Sequence, residues 1–194
     1  MRDNLRVILF VVVMSLFTSG VILGVDALTA ERIQNNQDAK IKVAILEANN
    51  IPYAMASINE TFDQEIDIVT VDDWTFYINP DTGSISFEIS GNGVWGPIEG
   101  ILTLQDDFET ILNVSILQQE ETPGLGGVIA EPQYLANFVG KIFDPNFELN
   151  KDPAPNDDNE IDAITGATNT SKRFESLLNE DYDQAKAAWE SQNE

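Results

Sequence analysis

The chain has 194 residues, of which 33 are acidic and 10 basic, for a net charge of −23. It contains neither cysteine nor histidine, which excludes disulfides, thiolate nucleophiles, iron–sulfur clusters, His- or Cys-ligated haem, ordinary zinc sites and a Ser-His-Asp triad. The acidity excludes nucleic acid as a partner, because phosphate contacts need basic side chains, and disfavours docking on anionic lipid.

What remains is carboxylate chemistry, an oxygen-ligated metal or a bound organic cofactor, and any redox work would fall to the cofactor. A salt-adapted, solvated surface accounts for most of the charge. Hydrophobic residues make up 43% of the chain, enough for a core, and the length allows one domain plus an appendage.

Residues 7–25 are almost wholly apolar. Such a helix is roughly 28 Å long, close to the hydrocarbon thickness of a bilayer. Arg2 and Arg6 precede it and Asp26 follows, so the positive-inside rule puts residues 1–28, a short cytoplasmic terminus and a transmembrane anchor, ahead of an extracytoplasmic remainder. A cleaved signal peptide ending near Val25-Asp26-Ala27 is the competing reading, but the apolar run is long for a signal core. Residues 29–50 read as a helical stalk, capped by Thr29, with Ile33, Ile41, Ala44, Ile45 and Ala48 near one face and Asn49-Asn50-Ile51-Pro52 as the stop.

Residues 51–194 form the expected extracytoplasmic domain. Residues 53–73 are mixed and acidic, with no clear period. Residues 74–78 and 84–89 read as a hairpin around Asn79-Pro80-Asp81-Thr82-Gly83. Residues 91–97 look too glycine-rich for a regular strand. They either let backbone approach a flat ligand, with Trp95 as a wall, or make a bulged turn with Trp95 in the core. Strands follow at 98–104 and 111–117. Glu121-Thr122-Pro123-Gly124-Leu125-Gly126-Gly127 is a shaped loop. Residues 131–143 read as a short helix burying Tyr134, Phe138 and Ile142, and 144–160 as a surface linker. The linker's carboxylates do not match the spacing of an EF-hand, so no metal site is assigned. A last helix over about 169–192 buries Phe174, Leu177, Leu178, Ala185 and Trp189.

Asp162-Ala163-Ile164-Thr165-Gly166-Ala167-Thr168 leads into that helix. Gly166 and Ala167 let a bulky group come close to backbone. Thr165, Thr168, Thr170 and Ser171 crowd hydroxyls there, Lys172 and Arg173 follow, and a helix N-terminus favours an anion. The plain alternative is a capped helix with no ligand.

Four blocks resemble the FMN-binding domain family found in the sodium-pumping NADH:quinone reductase and in the Rnf electron-transport complex. They are Gly91-x-Gly93-x-Trp95-Gly96-Pro97, Glu121-Thr122-Pro123-Gly124-Leu125-Gly126, Phe138-Val139-Gly140-Lys141 and residues 162–168. The resemblance implies an α+β architecture: an N-terminal transmembrane helix and stalk, then a mixed domain with antiparallel strands. It implies FMN joined covalently through its phosphate to Thr168, attached by a flavin transferase that uses FAD and magnesium. Asp162, Thr165, Gly166 and Ala167 would shape the attachment motif, and Glu121, Thr122, Gly124, Leu125 and Trp95 the flavin pocket, with Lys172 near the phosphate. The partners would be other membrane subunits of an ion-translocating oxidoreductase, and no residue of this chain need be catalytic. Many Rnf-type members carry histidine two residues before the glutamate, where this chain has Gln119. A flavin-free binding or scaffold module and a stand-alone extracellular electron-transfer flavoprotein are the alternative functions.

Overall fold

The computed structural model describes residues 2–151 and 155–192. The chain divides into two units, Met1–Lys40 and Ile41–Glu194. From Arg2 onward the first lies within helix α1, Arg2–Ala48, which runs unbroken through both the apolar run and the stalk sequence. Its segment from Asn4 onward is long and apolar enough to cross a membrane, with a mean hydropathy of 2.5 in its most apolar window. Thr29 does not cap a separate stalk helix. It lies inside α1 and its hydroxyl donates to the Val25 carbonyl at 2.9 Å, as Thr18 donates to Met14 at 2.6 Å. Back-bonding of this kind satisfies a hydroxyl without interrupting the helix, and the junction at residues 25–30 holds no glycine or proline that would.

In the second unit five strands form a meander in sequential, wholly antiparallel order. They are β1 (Asp67–Val71), β2 (Trp74–Ile78), β3 (Ile85–Asn92), β4 (Pro97–Leu104) and β5 (Ile111–Gln118). Successive strand residues face opposite sides. Ile101 therefore joins Ala44, Ile45 and Leu46 of α1 and Ile58 and Phe62 of α2 (Ile58–Glu65) on one face. Ile98, Leu102 and Leu104 join Phe76, Phe87 and the apolar side of α4 (Thr168–Gln192) on the other. The α4 stripe consists of Phe174, Leu177, Leu178 and Ala185, buried as expected, while Trp189 is half-buried and stacks on Phe108. The unperiodic segment after the stalk contains α2 and β1.

The fold corrects several expectations. Residues 91–97 are not all irregular, since Gly91 and Asn92 extend β3 and pair with Ile98 and Pro97. Glycine at 91 lets α4 pack close, since a Cβ there would meet the Leu177 side chain at 2.7 Å and have to displace it. Trp95 is not in the core but 71% exposed. The helix expected over 131–143 is only α3 (Pro132–Leu135) with a 3-10 turn at Ala136–Phe138, because Gly140 needs a positive φ of 80°. Ile142 instead bridges to Thr110. The expected linker is partly core: Phe147 and Leu149 are buried, and β6 (Glu148–Asn150) pairs in parallel with β7 (Glu160–Asp162). Residues 152–154 lie outside the described residues, and among the described residues no group of acidic side chains gathers as a metal site.

Lys186 of α4 donates to Glu109 at 3.1 Å and to the Tyr182 hydroxyl at 3.2 Å. Burial opposes its charge, but these partners outweigh that and push its pKa up to about 12. The raised value means the pair's contribution is complete below the ordinary lysine pKa of about 10.5 and is lost as pH rises through about 12. Because the pair is partly exposed, Lys186→Met is expected to cost under about 1 kcal/mol at neutral pH, and the difference from wild type should vanish near pH 12 in denaturant titrations.

Candidate functional site

The turn before α4 is fixed by backbone and by one hydroxyl. Ala163 donates to the Asn150 carbonyl of β6 at 2.7 Å. Gly166 takes a positive φ of 83°, and Ala167 closes the turn by donating to Ile164 at 3.1 Å. Ser171, only 1% exposed, accepts from the Ile164 N–H at 3.1 Å and donates to the Ala167 carbonyl at 3.2 Å. The turn thus sets Thr168 at the first position of α4, half-buried. Ser171→Ala strands a buried N–H and is expected to cost about 1–3 kcal/mol in urea denaturation.

The first N–H groups of a helix have no acceptor within it and carry the positive end of its dipole. Acidic residues usually occupy that end, yet none stands in the first turn of α4. Indeed none lies between Asp162 and Glu175, in a chain with 33. The end is left open to an anion from elsewhere.

Glu121 braces the other wall. It is 4% exposed. Its Oε1 accepts from the Val94 and Trp95 N–H groups at 2.6 and 3.2 Å, and its Oε2 accepts from the Thr170 hydroxyl at 2.7 Å. One carboxylate therefore ties the β3–β4 loop to the first turn of α4. Gly126 packs against it so closely that a Cβ would lie 2.5 Å from Oε2 and 2.6 Å from Thr170 Oγ1. Gln119 accepts from the Glu121 backbone N–H at 2.6 Å, which gives this position a turn-forming role.

Between these walls lies a cleft of about 380 Å³. Val94, Trp95, Thr122 and Leu125 line one side, and Gly166, Ala167 and Thr168 the other. Two apolar side chains of this lining are exposed, Trp95 at 71% and Leu125 at 44%. The volume lies in the range of small-molecule sites, which run from about 300 to 1,000 Å³. Gly124 does not line the cleft but turns its loop, with φ of 71°.

Not every expected residue converges there. Asp162 and Thr165 line a second cleft of about 420 Å³ with Asn150, Lys151, Gly166 and Thr168, so Gly166 and Thr168 form the wall shared by the two. Lys172 and Arg173 line an adjoining recess that shares Val94 and Asn169 with the first cleft. The cation in contact with Thr168 is Lys151, whose ammonium donates to Thr168 Oγ1. Sequence reading missed Lys151 because its segment looked like linker. Tyr134, whose hydroxyl donates to the Asp162 carbonyl at 3.2 Å, steadies the end of β7. Burial and, secondarily, the Asp162 charge push its pKa well above the ordinary tyrosine value, so it acts here as a donor.

Residues 93–183 match the FMN-binding domain family. The chain is 38% identical over 95 residues to NqrC, a component of the Na(+)-translocating NADH-quinone reductase, from Neisseria meningitidis, a match covering 46% of this chain and 37% of that protein. The NqrC protein of Yersinia pestis is 29% identical over 170 residues, covering 83% of this chain and 59% of the relative. The chain thus spans less than two thirds of the length of these relatives. The crystal structure of NqrC from Parabacteroides distasonis shares the fold, with a TM-score of 0.62 at 22% identity over 77% of this chain and 92% of that one. The crystal structure of NqrC from Shewanella oneidensis does so with a TM-score of 0.66 at 18% identity, over 79% of this chain and 99% of that one. The resemblance drawn from the four sequence blocks holds, and the α+β class with an N-terminal apolar helix is the observed one.

Proposed function

We propose that this chain is a membrane-anchored flavoprotein subunit that holds FMN as a phosphoester on Thr168 and relays electrons within an ion-translocating oxidoreductase complex. One observation carries the reading: Thr168 stands at an acid-free helix N-terminus, on the wall of a cleft lined also by the small residues Gly166 and Ala167 and by the exposed side chains of Trp95 and Leu125. An anion is stabilised there by about 0.3–1 kcal/mol from the dipole alone. The residues fit the group. A Cβ at Gly166 would press on Leu125 at 3.3 Å, so the absent side chain leaves a planar ring room beside backbone.

Thr168 would hold the phosphate by its ester. Trp95, Thr122 and Leu125 would flank the ring, while Asp162, Thr165, Gly166 and Ala167 hold the motif in shape. Glu121 would act indirectly, since both its oxygens are occupied by protein donors. Bound FMN accepts and donates electrons singly or in pairs, so the protein's tasks are binding, orientation and exclusion of water. None of them calls for a catalytic acid or base.

In this reading residues 1–28 anchor the chain, 29–50 continue as the stalk, and 51–194 form an extracytoplasmic flavin domain. A flavin transferase would load the cofactor. The partners would be membrane subunits of an NADH:quinone reductase; a ferredoxin:NAD oxidoreductase of Rnf type is the variant reading. Gln119 in place of the Rnf-type histidine, together with relatives that are NADH-quinone reductase components, favours the former.

The test is flavin fluorescence of the fully denatured chain in a gel, after production alongside a flavin transferase. A fluorescent band is expected. A dark band from cells whose transferase is active overturns the reading and leaves a binding module without flavin.

A further inference from the structure

We propose that Lys151, at the end of β6, is the side chain that neutralises the phosphate esterified to Thr168; this rests on the reading of Thr168 given above. Five basic residues lie in 51–194: Lys141, Lys151, Lys172, Arg173 and Lys186. Lys186 is engaged by Glu109, and Lys141 donates to the Asp157 carbonyl at 2.7 Å. The other three flank the start of α4. Of these only Lys151 meets the attachment hydroxyl, while Lys172 and Arg173 line the recess beyond Asn169.

Strand pairing sets Lys151 there. Asn150 is in register with Asp162 in the parallel β6–β7 pair, and its carbonyl receives the Ala163 N–H at 2.7 Å. The Lys151 backbone N–H donates to Asn150 Oδ1 at 2.6 Å. A residue one step beyond that register is held opposite the turn that carries Thr168. The competing carboxylate in the same cleft, Asp162, accepts from Asn156 Nδ2 at 3.1 Å.

The chemistry then follows. An ammonium donates and cannot accept, so it leaves Thr168 Oγ as acceptor and does not deprotonate it. On attachment the Oγ–P bond forms and the pyrophosphate P–O bond of a flavin dinucleotide breaks. The nucleoside monophosphate leaves, the hydroxyl proton is released, and no redox change occurs. The two non-bridging oxygens left on phosphorus carry the negative charge beside the ammonium. Lysine, a compact charge with three rotatable donors, can turn from Oγ onto them. In a domain this acidic, no other cation contacts Thr168 among the described residues.

The experiment follows flavin attachment by intact mass, using purified transferase and flavin dinucleotide, for wild type, Lys151→Gln, Lys151→Arg and Lys172→Gln. Lys151→Gln is expected to slow attachment about tenfold or more, as loss of a charge-assisted bond does. Lys151→Arg should restore most of the rate, and Lys172→Gln should change it less than about twofold. The second readout is acylation of lysine amines in loaded and unloaded wild type, resolved by peptide mass. Lys151 should be protected several-fold by loading and Lys172 should not.

Equal attachment rates with equal Lys151 labelling overturn the inference and leave the Thr168 reading intact. A lysine needed only for recognition by the transferase would slow attachment yet label equally in both forms, and that result overturns it too. Wild type that takes no flavin from an active transferase overturns the Thr168 reading and this inference with it.

Discussion

Thr168→Ala is expected to abolish covalent flavin completely, while Thr168→Ser retains it. The change removes one hydroxyl and one methyl from a half-buried position and leaves both walls of the cleft intact. Neighbouring hydroxyls cannot take over. Thr170 and Ser171 are 4% and 1% exposed and engaged with Glu121, Ile164 and Ala167. Thr165 is exposed but opens on the second cleft. Noncovalent FMN can still rest in the native cleft by weak contacts, which is why the measurement is made on the denatured chain. A fluorescent Thr168→Ala band would move the attachment elsewhere, with Thr165 the first position to examine by peptide mass. Circular dichroism of the variant should match wild type, because the substitution leaves the turn bonds of Ala163, Ala167 and Ser171 in place.

Glu121→Ala is expected to cost about 3–5 kcal/mol of unfolding free energy, since it strands three donors at a buried position. For a domain of ordinary stability, about 5–15 kcal/mol, that is a large share. Glu121→Gln should cost far less. Its amide oxygen can accept from Val94 and Trp95, and the Thr170 hydroxyl can turn from donor to acceptor. Urea denaturation of the flavin-free chain measures both. A loss under about 1 kcal/mol for the alanine variant would show that water replaces the carboxylate and that the brace is dispensable. The alanine variant should also load flavin poorly even where it remains folded, because nothing else ties the Val94–Trp95 amides to α4 among the described residues.

Features local in sequence were the legible ones. The apolar run, the strand hairpins, the stop of α1 and the start of α4 all rest on periodicity and turn residues within a few positions, and each stands where those signals put it. The site was legible only where its residues are contiguous. Thr168 could be singled out because its glycine, its hydroxyls and its helix lie together. The role of Glu121 could not, since its partners stand 26 and 27 residues before it and 49 after, and nothing in residue order distinguishes a ring-lining acid from a brace. Lys151 stayed hidden for a similar reason. It is carried by a three-residue strand whose parallel partner lies beyond an acidic, proline-bearing stretch, and so short a strand gives no pattern. Lys172, adjacent to the motif in sequence, was the visible cation; it lines a recess that adjoins the cleft through Val94 and Asn169.

The order of the strands bears on when the site comes into being. In a meander each strand pairs with its predecessor, so the sheet closes through short loops at little entropic cost and such local pairings form early. The bonds that define the cleft are the long-range ones, from Glu121 to Thr170 and from β6 to β7 and the turn after it. The first of these needs α4 to be docked. Thr168 therefore reaches its position only once α4 has packed. An enzyme that recognises this hydroxyl in its folded setting would modify chains whose α4 has docked and pass over those in which it has not, so an attached cofactor would also serve as a record that this docking had taken place.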